Sequence, residues 1–110
     1  MIEELDQEDF GAKVLDSGRA CVIDFYARWC TPCKPVSAML DKLSGGYDGK
    51  VKFYRLDTDK NTELSQKLKI TDIPTILFLK GSKMDIQRGT TTEDKMRAKI
   101  EALSDGDNNN

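Results

Sequence analysis

Two cysteines are separated by only two residues, neither of which is charged. They are Cys30 and Cys33, in the segment Trp29-Cys30-Thr31-Pro32-Cys33-Lys34. This spacing allows the two sulfur atoms to meet across one turn of chain. A buried strand is predicted before the segment and a helix after it, and the free N–H groups and dipole at a helix N-terminus stabilise a thiolate. The placement favours Cys30 as the nucleophile, and Pro32 fits the first turn, where its missing N–H is not needed.

Other uses of a cysteine pair remain open at this point. A zinc site needs four ligands, and the chain offers one further cysteine, Cys21, and no histidine. An inert structural disulfide is a second alternative, although closing so short a loop adds little stability. The absence of histidine also excludes Cys-His and Ser-His-Asp catalysis, His-ligated metals and histidine pH switches. These residue types favour thiol–disulfide exchange.

A carboxylate interrupts the apolar run that precedes the cysteines. Asp24 lies within the stretch ACVIDFYA at residues 20–27. Burial disfavours the charged form of a carboxyl and raises its pKa toward neutrality, so that it can accept and donate a proton beside a thiol. The alternative is an Asp at a strand edge or paired with Arg55. Cys21, in the same run, is predicted to be a small core residue and not a redox centre.

The hydrophobic pattern predicts the elements that position these residues. The run at 20–27 is typical of a central strand covered on both faces. Helix 33–47 is predicted because its apolar residues recur at i, i+3, i+4 and i+7, which places Val36, Met39, Leu40 and Leu43 on one buried stripe. The other predicted elements are strands 2–5, 51–56, 75–79 and 83–88, and helices 6–17, 62–68 and one that begins near residue 90.

Local signals set several boundaries. Asp6 is a candidate N-cap for the first helix, Gly81-Ser82 suits a type II′ hairpin, and Thr90 with Glu93 forms a capping box for the last helix. The resulting order is βαβαβαββα. It predicts an α/β fold with one mixed sheet and helices on both faces.

Length and composition limit the classes of function. A chain of 110 residues forms one compact domain, placed here at residues 1–104, followed by a disordered polar tail at 105–110. The net charge of -2, without a cluster of Lys and Arg, argues against nucleic acid as a partner. The longest apolar stretches are too short to cross a membrane. An acidic start unlike a signal peptide and an odd cysteine count favour a reducing, cytoplasmic location.

Three separated segments together resemble the thioredoxin family. They are VIDFYARWCTPCK at residues 22–34, DIPT at 72–75 and Gly89, and the resemblance covers residues 1 to about 104. It implies a five-stranded mixed sheet with four helices. It also implies that Cys30 is the attacking thiol, Cys33 the resolving thiol and Asp24 the proton-transfer group.

The resemblance further implies a substrate site and partners. Substrate would bind at Trp29, Ile73, Pro74 and Gly89, with Pro74 following a cis peptide bond and Ile73 offering its backbone. Thr31, Pro32 and Lys34 would be neighbours in the redox motif. The implied function is general reduction of disulfides in client proteins by a monomer without cofactor or metal, which thioredoxin reductase then re-reduces. Rival interpretations are a redox-dependent binding module and a disulfide oxidase or isomerase.

Several residues depart from the common thioredoxin pattern. Thr31 stands where Gly is commonest, and Tyr26 stands where many members have Trp. Arg55 occupies the place of a lysine that often accompanies the buried acid, and arginine does not release a proton at ordinary pH. Ala38 replaces a proline that commonly kinks the second helix, whereas Pro35 falls early in it. We expect Pro35 to distort the first helical turn.

Overall fold

The apolar run of residues 20–27 lies at the middle of a five-stranded sheet. A computed structural model of the chain describes residues 2–105. The strands are β1 (Glu3–Glu4), β2 (Ala20–Tyr26), β3 (Val51–Asp57), β4 (Thr75–Lys80) and β5 (Lys83–Arg88). The α-helices are α1 (Cys33–Ser44), α2 (Thr62–Lys67) and α3 (Glu93–Asp105).

The sheet is mixed, as predicted. Its strand order is β1-β3-β2-β4-β5. The central strand β2 is parallel to β3 and antiparallel to β4, while β1 adds parallel to β3 and β5 adds antiparallel to β4. The α/β fold class is therefore confirmed. No helix among residues 2–105 has the length and apolarity needed to cross a membrane.

Apolar side chains fill both faces of the sheet. One face packs against the apolar sides of α1 and α3. These helices contribute Val36, Leu40, Leu43, Met96, Ile100 and Leu103 to the core on this face. The other face packs against the N-terminal segment, which contributes Phe10 and Val14, and against α2 and the residue that follows it, which contribute Leu64 and Leu68. Side chains of a strand alternate between faces, so β2 is buried on both sides. The turn that carries the cysteines leaves the end of this most enclosed strand.

The N-terminal segment is helical but not a regular α-helix. The sequence predicts one helix over residues 6–17, whereas the structure has a 3-10 turn at Gln7–Asp9 followed by a π-helical stretch at Gly11–Leu15. Among the described residues, the side chain of Asp6, the expected N-cap, makes no capping hydrogen bond. Gln7 is instead tied to the region of α2: its N–H donates to Asn61 Oδ1 (2.8 Å), and its Oε1 accepts from the Leu64 N–H (3.0 Å). These tertiary bonds override the local helical preference.

Other boundaries differ by a few residues. α3 begins at Glu93, and the Lys95 N–H donates to Thr92 Oγ1 (3.2 Å), so Thr92 and not Thr90 is the cap. The predicted type II′ turn is confirmed, since Gly81 has φ +59° and Ser82 does not have a positive φ. Asp105, assigned to the tail by the sequence, is the last residue of α3, and residues 106–110 lie outside the described part of the chain.

Pro35 does not disturb α1, contrary to expectation. The helix begins at Cys33, so Pro35 is its third residue. The first residues of an α-helix have N–H groups without an intrahelical partner, and a proline there removes no helical hydrogen bond. α1 continues to Ser44 and tightens into a 3-10 turn at Gly45–Tyr47, where the sequence predicts its end.

Candidate active site

A tight turn between β2 and α1 brings the two cysteines together. The Cys30 N–H donates to Ala27 O (3.1 Å), and the Cys33 N–H donates to Cys30 O (3.3 Å). Cys30 and Cys33 form a disulfide, with Cα atoms 5.4 Å apart. They are 3% and 1% exposed, respectively. α1 begins at Cys33, so Cys30 lies just before the N-terminus of this helix. A thiolate formed at Cys30 on reduction is stabilised by that position.

A shallow groove of about 430 Å³ borders the disulfide at Cys30 and is lined by Trp29 and Ile73. Trp29 is 70% exposed, and its Nε1–H donates to Asp59 Oδ2 (2.7 Å). Ile73 is half-buried and packs against the cluster formed by Cys30, Cys33 and Ala27. Thr31 and Pro32 complete the wall on the cysteine side. The groove therefore combines an exposed aromatic ring and an apolar side chain beside the sulfur.

Pro74 and Gly89 lie next to each other at the adjoining ends of β4 and β5. The Ile73–Pro74 peptide bond is cis. The Gly89 N–H donates to Pro74 O (2.8 Å). Gly89 has φ +78°, a left-handed conformation that glycine adopts without a Cβ clash. Of the expected substrate-binding residues, the structure thus joins Trp29 and Ile73 in one groove and links Pro74 to Gly89 by a hydrogen bond.

Asp24 is fully buried in the central strand, on the face that α1 covers. Its side chain lies on the same face of β2 as those of Ala20 and Val22, which pack against α1. The Ser37 hydroxyl donates to Asp24 Oδ2 (2.5 Å), whereas Oδ1 has no hydrogen-bond partner among residues 2–105. Burial raises the pKa of Asp24 to about 6, against the opposing effects of the Ser37 hydrogen bond and the positive charge of Arg55. The carboxyl therefore changes charge near neutral pH.

Arg55 lies beside Asp24 in the neighbouring strand. The two residues are register partners across β2 and β3. The Arg55 guanidinium stacks 5.1 Å from the centre of the Tyr26 ring, and Arg55 Nε is buried without a hydrogen-bond partner in the part of the chain that the structure describes. The Tyr26 hydroxyl donates to Glu4 Oε2 (2.8 Å). Because Asp24 occupies the central strand, the strand-edge alternative is wrong, and burial outweighs the attraction of Arg55.

A cavity of about 480 Å³ borders both cysteines and the groups around Asp24. Cys33, Ser37 and Arg55 line it, and Lys34 lies on the same wall. Ser37 is the residue that holds Asp24 by a hydrogen bond. A buried carboxyl with an unpartnered oxygen, next to a cavity that reaches Cys33, can exchange protons with a thiol or with water.

Cys21 occupies a different environment from the cysteine pair. It is fully buried on the opposite face of β2 from Asp24, in a cluster with Phe10, Ile23 and Leu77. Burial raises the pKa of its thiol, which keeps it in the neutral, unreactive form. Cys21 is a core residue, as predicted. Within residues 2–105, no group of three or more Cys, Asp or Glu side chains is placed to hold a metal ion.

Comparison with known proteins decides the family. The thioredoxin family model matches residues 1–102. The chain belongs to the thioredoxin family. It is 40% identical over 89 residues to thioredoxin of Borreliella burgdorferi, an alignment that covers 72% of this chain and 76% of that one. It is 36% identical over 95 residues to thioredoxin C-2 of Corynebacterium nephridii, covering 86% and 88% of the two chains.

The fold of this thioredoxin-family protein is also that of a solved relative. Chloroplastic thioredoxin z superposes with a TM-score of 0.86 over 94% of both chains, at 24% sequence identity. Family membership and the cysteine pair at disulfide distance make the protein a thiol–disulfide oxidoreductase that works by dithiol–disulfide exchange. Its redox-active disulfide joins Cys30 and Cys33.

Ser37 is the residue of this site that the sequence analysis missed. It follows Cys33 by one helical turn and lies among the buried positions of α1, next to Val36 and three residues before Leu40. A hydroxyl placed between the apolar residues Val36 and Leu40 of the buried stripe is the available signal, because a buried polar group needs a hydrogen-bond partner. On the facing strand, the candidate hydrogen-bond partner for this hydroxyl is Asp24, which the sequence analysis already identifies.

Proposed function

We propose that this thioredoxin-family protein is a general reductant of protein disulfides, acting as a cytoplasmic monomer that thioredoxin reductase re-reduces. The observation that carries the proposal is the cysteine pair at the start of α1. Cys33 and Ser37, which donates a hydrogen bond to Asp24, line one cavity. The direction of transfer rests on Thr31 and Pro32, which place no charge between the cysteines. Limited stabilisation of the thiolate leaves the dithiol ready to give up electrons.

In the first half of the cycle, the Cys30 thiolate attacks one sulfur of a client disulfide. A bond forms between Cys30 Sγ and that sulfur, the client S–S bond breaks, and the other client sulfur leaves as a thiolate. Cys30 takes this role because it borders the groove that also holds Trp29 and Ile73. An extended client segment would lie in this groove and hydrogen-bond to the backbone of Ile73, beside Pro74 and Gly89.

In the second half, Cys33 resolves the mixed disulfide. The Cys33 thiol gives its proton to the Asp24 carboxylate, and the resulting thiolate attacks Cys30 Sγ. The bond to the client breaks, the second client sulfur leaves as a thiolate and takes up a proton, and the Cys30–Cys33 disulfide forms. Two electrons have then passed to the client. A carboxyl with a pKa of about 6 is suited to accept this proton near neutral pH.

A trapping experiment tests the assignment of the two thiols. Cys33→Ser should accumulate a covalent adduct between Cys30 and a disulfide-containing protein such as insulin, because the resolving thiol is lost and the remaining thiol, Cys21, is buried in the core. Cys30→Ser should neither trap the substrate nor turn it over. Non-reducing electrophoresis and intact mass measure both outcomes. Equal trapping by the two variants would contradict the roles proposed for them.

The reduction potential tests the direction of transfer. Thioredoxins as a class have reduction potentials of about -270 mV, and disulfide isomerases have potentials of about -180 mV. We expect this protein to fall within about 30 mV of the thioredoxin value, because the Thr31 hydroxyl can stabilise the thiolate only slightly. Equilibration with glutathione buffers and counting of free thiols measures it. A potential above about -200 mV would favour the oxidase or isomerase function instead.

A further inference from the structure

Ser37 contacts one of the two carboxyl oxygens of Asp24. Its hydroxyl donates to Oδ2 at 2.5 Å, and both residues are buried, so this bond is shielded from water. Oδ1 is buried as well and has no hydrogen-bond partner within the described residues. The two oxygens of one carboxyl are therefore in unequal environments. The hydroxyl fixes one of them and leaves the other with a free lone pair.

The position of Ser37 links this carboxyl to the resolving thiol. Ser37 lies one turn after Cys33 on the inner face of α1, and both residues line the same cavity of about 480 Å³. Residues four apart on a helix are neighbours on one face. α1 thus carries both the thiol to be deprotonated and the hydroxyl that orients the acceptor.

We propose that Ser37 is a positioning residue for the proton transfer, holding Asp24 through Oδ2 so that Oδ1 accepts the proton of Cys33. The proposal rests on the proposed function, in which Asp24 assists resolution. Ser37 itself neither gains nor loses a proton over the cycle. The proton moves from Cys33 Sγ to Asp24 Oδ1, while the hydroxyl continues to donate to Oδ2.

The other groups around Asp24 do not replace this hydrogen bond. Arg55 on β3 favours the charged carboxylate, Glu4 on β1 opposes it, and the β4 neighbour Ile76 is apolar. Tyr26 on β2 is engaged with Glu4 through its hydroxyl. Among these groups, Ser37 is the one with a hydrogen bond to the carboxyl, so its removal leaves both Asp24 oxygens without a donor in the described part of the chain.

The test is the titration of Asp24 in the reduced and oxidised protein, followed by NMR of its side-chain carboxyl carbon. Ser37→Ala should move the midpoint upward by about one pH unit, because a hydrogen bond to the charged form is lost. Ser37→Thr keeps a hydroxyl and should restore the wild-type midpoint. Ser44→Ala is the matched control, since Ser44 is a buried serine of the same helix whose hydroxyl donates to Asp41 O.

Kinetics provide the second readout. The pH dependence of insulin reduction should shift to higher pH in Ser37→Ala by the same amount as the midpoint. In an Asp24→Asn background, Ser37→Ala should leave the pH profile unchanged. An unchanged Asp24 midpoint in Ser37→Ala, an equal shift in Ser44→Ala, or a profile shift that persists with Asp24→Asn would each overturn the proposal. If the wild-type protein did not reduce insulin, the proposed function would fail, whereas the NMR titration would still decide whether Ser37 controls Asp24.

Discussion

Two polar clusters, each with a buried centre, lie near the ends of neighbouring strands, and they differ in how completely their hydrogen bonds are made. The Asp24 cluster consists of Asp24, Ser37 and Arg55. The Asn61 cluster consists of Gln7, Asp57, Asn61 and Ser65. Of the three buried side-chain atoms without a hydrogen-bond partner in the described residues, two belong to the Asp24 cluster: Asp24 Oδ1 and Arg55 Nε.

The polar groups of the Asn61 cluster are paired by hydrogen bonds between side chains and the backbone. Asn61 Nδ2 donates to Asp57 O (2.9 Å), and Asn61 Oδ1 accepts from the Gln7 N–H (2.8 Å). The Ser65 hydroxyl donates to Asn61 O (2.9 Å), and Asp57 Oδ1 accepts from the Asp59 N–H (2.9 Å). A network in which these groups are paired rigidifies a structure, whereas an unpaired buried group destabilises it. The comparison suggests a structural role for one cluster and a chemical role for the other.

Asn61→Ala should cause the largest loss of stability. It leaves Asp57 O and the Gln7 N–H without their partners, and each unsatisfied buried group costs about 1–3 kcal/mol. We expect a loss of roughly 3 kcal/mol, equal at low and neutral pH. Urea denaturation of the oxidised protein measures it, and insulin reduction at a temperature where the variant is folded should stay close to wild type. A parallel collapse of turnover would show that the two clusters are not separate.

Asp24→Asn should increase the stability of the folded protein, in contrast to Asn61→Ala. Because the folded protein holds the pKa of Asp24 at about 6 and the unfolded chain at about 3.9, the folded state binds more protons between these values, and its stability falls as the pH rises through them. The penalty reaches about 3 kcal/mol above the folded pKa. Asp24→Asn should therefore gain stability of this order at about pH 8 and little at about pH 4.

The same substitution should slow resolution of the mixed disulfide, because the proton acceptor is lost. Stability is measured by denaturant unfolding at both pH values, and resolution by stopped-flow release of the client thiol. Asn61→Ala provides the contrast, since its loss of stability should not depend on pH. An Asp24→Asn variant that is less stable than wild type at about pH 8 would contradict the burial argument.

The sequence predicted the Asp24 cluster better than the Asn61 cluster. Asp24 stands out because it interrupts an apolar run, and the pair of cysteines marks the end of the same strand. The stripe of α1 and the hairpin at Gly81 were likewise readable, since each depends on residues close together in the chain. The α/β fold followed from the alternation of these elements.

Contacts between distant residues were not predictable in this way. Gln7 and Asn61 are separated by 54 positions, and nothing in their local sequence indicates that they bond. The same bond helps to explain why residues 7–15 are not the regular helix that their periodicity predicts. Ser37 pairs with Asp24 across 13 positions, from a helix to a strand. Periodicity identifies a buried face but not which polar groups meet there.

Asp59 connects the two regions and should give the smallest effect. Its N–H donates to Asp57 Oδ1 in the Asn61 cluster, and its own carboxylate accepts from Trp29 Nε1 beside Cys30. The side-chain bond is exposed, so water replaces it readily when it is broken. Asp59→Ala keeps the backbone N–H and should lower the free energy of unfolding by about 0.5–1 kcal/mol, well below Asn61→Ala.

Trp29 makes this last substitution easy to follow. It is the single tryptophan of the chain, so its fluorescence reports the loss of the Asp59 bond without interference. Asp59→Asn is the matched control because it retains an acceptor oxygen, and its emission should stay nearer to wild type. Insulin reduction by Asp59→Ala should fall less than in Asp24→Asn, since no reacting atom is altered. A loss of stability as large as that of Asn61→Ala would instead place Asp59 within the Asn61 cluster and remove the boundary between the structural and the chemical region.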